Sequence, residues 1–137
     1  MKVEVSAKDF FADIDNLLQK QDVKIKVTGK SMWPFFKDRK TVVTLTKVKD
    51  IKKGEVYLFI YNSSYVLHRL VKIKKDVLIF RGDGNVIKEE VTRSKVLAVV
   101  KSYQNKKDIN TSNRFYKLRV FLYRLLPRRI TLKLFKR

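Results

Sequence analysis

Cysteine is absent from the 137 residues. That excludes disulfides, thiolate nucleophiles and thiolate metal sites, and it is compatible with any compartment. Histidine occurs once, so no convincing transition-metal site can be built, and neither a metal nor another cofactor is expected. Glycine and proline are scarce, at four and two residues, which beside 12% aromatics argues against wholesale disorder. Acids are few as well: 13 Asp/Glu stand against 33 Lys/Arg, for a formal charge of +20. Such an excess implies an anionic partner or surface, although Lys spread along the whole chain also serves solubility alone. No stretch approaches the ~20 apolar residues that span a bilayer. The opening residues MKVEVSAKDFFADIDN carry acids and no apolar core, so they are not expected to act as a signal peptide. The expectation is a cytoplasmic protein whose membrane contact, if any, is peripheral.

A hydrophobic content of 45% suits one domain with a modest core. Ser6 and Asp9 resemble a capping box, and Phe10, Phe11, Ile14, Leu17 and Leu18 recur at helical spacing, predicting an amphipathic helix over 7–20. Strand-like alternation follows at Lys24–Val27, then at Thr41–Thr46, Glu55–Ile60, Tyr65–Ile73, Val77–Arg81 and Val96–Tyr103. Lys53-Gly54 and Asn62-Ser63-Ser64 supply turns. Strands this short and closely spaced predict a mainly β fold, a small antiparallel coiled sheet or partial barrel. The polar run 104–113 reads as a linker between a domain over 1–103 and a basic helical tail over 114–137. That tail holds nine Lys/Arg and no acid. Phe115, Leu118, Leu122 and Leu125 share one helical face, with Lys117, Arg124 and Arg128 on another. Pro127 interrupts the pattern, and Ile130, Leu132, Leu134 and Phe135 form a second apolar piece.

Thr28-Gly29-Lys30-Ser31-Met32-Trp33-Pro34 breaks the strand pattern into a shaped loop. A serine hydrolase needs an exposed hydroxyl on a rigid turn, a base for its proton, and donors for the developing oxyanion. Ser31 meets the first need, and a turn leaves backbone N–H groups, including its own, for the third. His68, in Val66-Leu67-His68-Arg69-Leu70, is the one imidazole available as base. On a strand it shares a face with Val66 and Leu70. A turn serine and a core histidine are the plain alternatives, and spacing alone does not join the two.

The order of motifs joins them. Gly29-Lys30-Ser31-Met32-Trp33-Pro34 resembles the G-x-S-M-x-P nucleophile box of the type I signal peptidases, and Lys53-Gly54-Glu55-Val56 resembles their G-D-[IV]-V segment, with Glu for Asp. His68-Arg69-Leu70-Val71 resembles the segment carrying the base, and Arg81-Gly82-Asp83-Gly84-Asn85 the G-D-x-N box. The resemblance, over about residues 25–102, is to the S24/S26-type serine peptidases, which include signal peptidases and LexA-like repressors. A His base is similar to the endoplasmic-reticulum and archaeal-type signal peptidases, where bacterial and LexA-type members use Lys.

That resemblance implies a β-rich core and cleavage by Ser31 with His68 as general base. A downstream acid would orient the imidazole, as in triads generally. Asp83 is the first candidate, with Glu89 and Glu90 as alternatives, and a tight turn ordered by Asx bonds is the plain reading of Asp83 and Asn85. Gly29, Met32, Trp33 and Pro34 would form the substrate-binding or oxyanion loop. Phe35 and Phe36 are expected in the core more than Trp33. Signal peptidases carry a membrane anchor and LexA-like repressors a DNA-binding domain, and neither is expected here. The partner is then a peptide or protein substrate carrying a leader, signal or propeptide, bound as an added strand. For 114–137, contact with anionic membrane stands ahead of packing on the domain, and nucleic acid third. The rival functions are a degenerate binding module with a basic surface and a self-cleaving regulator.

Overall fold

The computed structural model describes residues 13–105 and 108–125. The expected cap at Ser6, the apolar pair Phe10 and Phe11, and the second apolar piece after Pro127 lie outside the described residues. Helix α1 (Ile14–Lys20) leads into β1 (Val23–Lys26), and a long loop joins it to β2 (Val42–Thr46). A meander follows: β3 (Val56–Tyr61), β4 (Ser64–Lys74), β5 (Val77–Arg81) and β6 (Glu89–Thr92). A 3-10 turn at Arg93–Lys95 leads to β7 (Val96–Gln104), β8 (Asp108–Asn110) and helix α2 (Arg114–Leu125).

All pairings are antiparallel, in one open sheet of order β1-β2-β7-β3-β4-β5-β6, with β8 on β7. The fold is mainly β and antiparallel, as expected, and the sheet is open rather than closed into a barrel. Strand β7 comes after the meander in the chain yet lies between β2 and β3, pairing Val43 with Tyr103 on one side and Leu58 with Ala98 on the other. It therefore joins the β1–β2 hairpin region to the β3–β6 meander.

The sheet divides two cores, and β3 faces both. Val56 and Leu58 belong to the larger core, with Ile14, Ile25, Met32, Phe36, Val43 and residues of α2. Tyr57 and Phe59 turn to the smaller one, with Leu70, Leu78, Phe80 and Val91. This is why Val-Tyr-Leu-Phe reads as a continuous apolar run rather than an alternation. Phe59 and Phe80 stack at 4.1 Å between centroids, a contact worth about 0.5–1.5 kcal/mol beyond burial.

Two strands depart from the sequence reading. Glu89–Thr92 forms β6, although Glu-Glu has low strand propensity, because Glu89 and Val91 face inward while Glu90 and Thr92 face out. Asp108–Asn110, inside the expected linker, forms β8, and buried Thr111 donates to the Lys101 carbonyl at 2.9 Å. Helix α2 then starts at an Asn113 cap, whose Oδ1 accepts from the Phe115 N–H at 2.8 Å. The helix turns Tyr116, Val120 and Tyr123 to the domain. The apolar set read from the sequence, Phe115, Leu118, Leu122 and Leu125, points outward. Among the described residues no helix is long and apolar enough to cross a membrane.

Candidate active site

The loop after β1 is fixed from both ends. Gly29, at φ +86, gives its N–H to Asp38 Oδ1 at 2.8 Å, a conformation that a side chain would strain. Beyond it, the Phe35 and Phe36 N–H groups close a helical turn onto the Met32 carbonyl at 3.1 and 3.0 Å. Met32, Phe35 and Phe36 are buried in the larger core, whereas Trp33 and Pro34 are half-buried. Ser31 stands half-exposed at the head of this turn, and none of these bonds consumes its N–H. Its carbonyl accepts the Gly84 N–H at 2.8 Å, tying the loop to the turn after β5.

Ser31 and His68 line the same cleft, of about 940 Å3. Ile25, Val27, Leu58, Tyr65 and Leu67 make its walls mostly apolar, and Met32 and Asn85 also face it. Gly29, Trp33 and Pro34 are not part of this lining. The closest approach is at Gly82. A Cβ there would stand 2.3 Å from the Ser31 carbonyl oxygen, 2.9 Å from Asn85 Nδ2 and 3.0 Å from His68 Nε2. Only glycine fits where the loop, the imidazole and the turn converge.

His68 lies on β4 opposite Tyr57, on the Val66 and Leu70 face, with Phe59 edge-on at 6.1 Å. Its Nδ1 is 2.6 Å from Glu89 Oε1, and both side chains are buried. The sheet explains the meeting: β4 pairs with β5 and β5 with β6, so inward residues of β4 and β6 reach the same side. Glu90, one residue along, is exposed on the opposite face.

Asp83, the first acid considered, does not hold the imidazole. Its carboxylate takes Arg69, with Nε to Oδ1 at 2.8 Å and Nη2 to Oδ2 at 2.7 Å, inside the protein. Arg69 follows His68 on β4 and so faces the other core. Its Nη1 donates to the Gly54 carbonyl at 2.7 Å and the Tyr116 hydroxyl at 3.1 Å. The Phe35 and Tyr116 rings lie beneath the guanidinium. Burial opposes the charge of Arg69, but Asp83 and Tyr116 outweigh it and hold the group more firmly protonated than in water. Burial also pushes up the Tyr116 hydroxyl, and Arg69 counters only part of that.

The same turn is gripped from α2. The Tyr123 hydroxyl donates to the Asp83 carbonyl at 2.8 Å, and the Asp83 N–H meets Met32 Sδ at 3.4 Å. Gly82, Asn85, Arg69, Tyr116 and Tyr123 had no assigned site role in the sequence reading. The G-D-x-N box named the first two as a pattern, but nothing in a period or spacing links α2 to that turn.

The chain matches a family model. The model for that family, Peptidase S24-like, covers residues 2–101, while no curated protein matches the chain. Those residues run into β7 and include the loop that carries Ser31 and the strands that carry His68 and Glu89. The chain belongs to the Peptidase S24-like family and is of the serine-peptidase or LexA-like self-cleaving kind.

Proposed function

We propose that the chain is a serine endopeptidase that cuts a leader, signal or propeptide segment from a protein. Ser31 attacks, His68 is the general base and Glu89 orients the imidazole. One observation carries this reading: Glu89 engages His68 Nδ1 at 2.6 Å, while Nε2 and the Ser31 backbone both border Gly82 and the two residues line one cleft.

A carboxylate on Nδ1 selects the tautomer with the proton there and leaves the Nε2 lone pair toward the serine. Nε2 takes the Ser31 proton as Oγ bonds to the scissile carbonyl carbon. The Ser31 N–H and Asn85 Nδ2 are the nearby donors for the oxyanion. The imidazolium, stabilised by Glu89, then protonates the leaving amine as the C–N bond breaks, leaving a Ser31 ester. Water, deprotonated by the same Nε2, attacks that ester and restores the hydroxyl. The substrate backbone would run through the apolar cleft beside β1, whose outer edge pairs with no strand among the described residues.

The test is labelling by a fluorophosphonate probe. Wild type is expected to label, and Ser31→Ala and His68→Ala to stay unlabelled while folding normally. Folded wild type that is silent toward the probe and toward a peptide library, with and without vesicles, would remove the enzyme reading.

A further inference from the structure

Helix α2 has two apolar faces, and among the described residues one of them is packed. Tyr116, Val120 and Tyr123 are buried against the domain. On the opposite side Phe115, Leu118, Phe121, Leu122 and Leu125 are exposed, Phe115 at 77% and Leu125 at 66%. At 100° per residue these five cover an arc of about 120°, centred opposite the buried face. Large apolar side chains gathered this closely on a surface call for a partner.

The charges around the stripe identify its chemistry. Lys117 borders one margin and Arg119 the other, Arg114 stands at the N-terminal end of the stripe as the first residue of the helix, and all three are exposed. No acid occurs from residue 114 onward. An apolar centre with cationic margins matches a bilayer interface, where acyl chains meet anionic headgroups. A nucleic acid would need the cations at the centre and would leave Phe115 and Leu125 in water. A second copy would bring two such cationic margins together within a chain of charge +20.

We infer that the outer face of α2 is a docking surface for anionic lipid bilayers. The helix, twelve residues and about 18 Å long, lies in the interface plane with its Tyr face holding the domain. Tyr123 and Tyr116 bond the Asp83–Arg69 pair, so docking brings the membrane against the element that braces the turn beside Ser31. This inference is independent of the peptidase reading, since it needs neither Ser31 nor His68.

The test is flotation of the full chain with vesicles of phosphatidylcholine alone and of phosphatidylcholine with phosphatidylglycerol. Wild type and Ser31→Ala should float with the mixed vesicles and not with phosphatidylcholine alone. Phe121→Ser/Leu125→Ser should weaken binding by about tenfold or more with an unchanged thermal midpoint, because neither side chain packs in the core. Lys117→Glu should weaken it too and provides a second variant should the first misfold. Equal flotation on both vesicle types, none on either, or full binding by these variants would overturn the inference. So would a wild-type dimer, or a complex with single-stranded DNA, that the double variant loses when no flotation occurs.

Discussion

Arg69 and Asp83 form a bidentate pair sealed inside the protein, one residue along β4 from the histidine that Glu89 holds. Neighbouring side chains on one strand thus face opposite cores, and each finds a different carboxylate from the segment after β5. The division separates two tasks: one pair supports the turn, while the other faces the cleft.

Removing one member of the structural pair strands a buried charge. Asp83→Ala is expected to destabilise the fold by about 3–5 kcal/mol in urea unfolding. Tyr123→Phe, which removes only the bond to the Asp83 carbonyl, should cost about 1 kcal/mol.

The carboxylates should separate in activity. Glu89→Gln is expected to slow fluorophosphonate labelling about 10²–10⁴-fold. Glu90→Gln, on the solvent face, should label at the wild-type rate. Equal effects from the two substitutions would rule out a special role for Glu89.

Gly82→Ala introduces a methyl 2.3 Å from the Ser31 carbonyl, a backbone atom that cannot swing aside. The expected cost is about 1–3 kcal/mol in stability, with labelling falling further than the lost folded fraction explains. Labelling that tracks the folded fraction alone would mean that the loop, the imidazole and the turn tolerate being spread apart.

Burial raises the Glu55 carboxyl above its ordinary 4.5, although Lys117, Arg69 and Lys52 pull it back in part. A raised carboxyl binds its proton more tightly folded than unfolded, so protonation favours the fold. That stabilisation is full below pH 4.5 and is lost as pH rises through the folded value. Glu55→Gln should therefore exceed wild type in stability at neutral pH, and the gap should close on acidification through that window, read by urea midpoints.

Much of the sheet was legible because Val43, Leu45, Leu58 and Leu78 sit on alternating or continuous apolar runs that only strands explain. Ser31 and His68 stood out by motif order. The acid did not, because the choice between Asp83 and Glu89 depends on which core each side of β4 faces, and that follows from pairing register. β6 was missed because two glutamates hide a strand whose inward glutamate is buried against His68. The tail was read by its most apolar face, yet Tyr116 and Tyr123, amphipathic residues with hydroxyls to place, make the attachment. Phe115 and Leu125, the better hydrophobes, remain outside.

The position of β7 bears on when the site comes into being. Ser31 hangs from the β1–β2 side and His68 and Glu89 from the meander, and β7 is the strand that brings these two parts into one sheet. During synthesis, a ribosome that has released residues up to 95 has already produced all three side chains without the strand that aligns them. A chain made only that far holds these side chains without the frame that gathers them, so the cleft waits on a strand that lends it no lining residue.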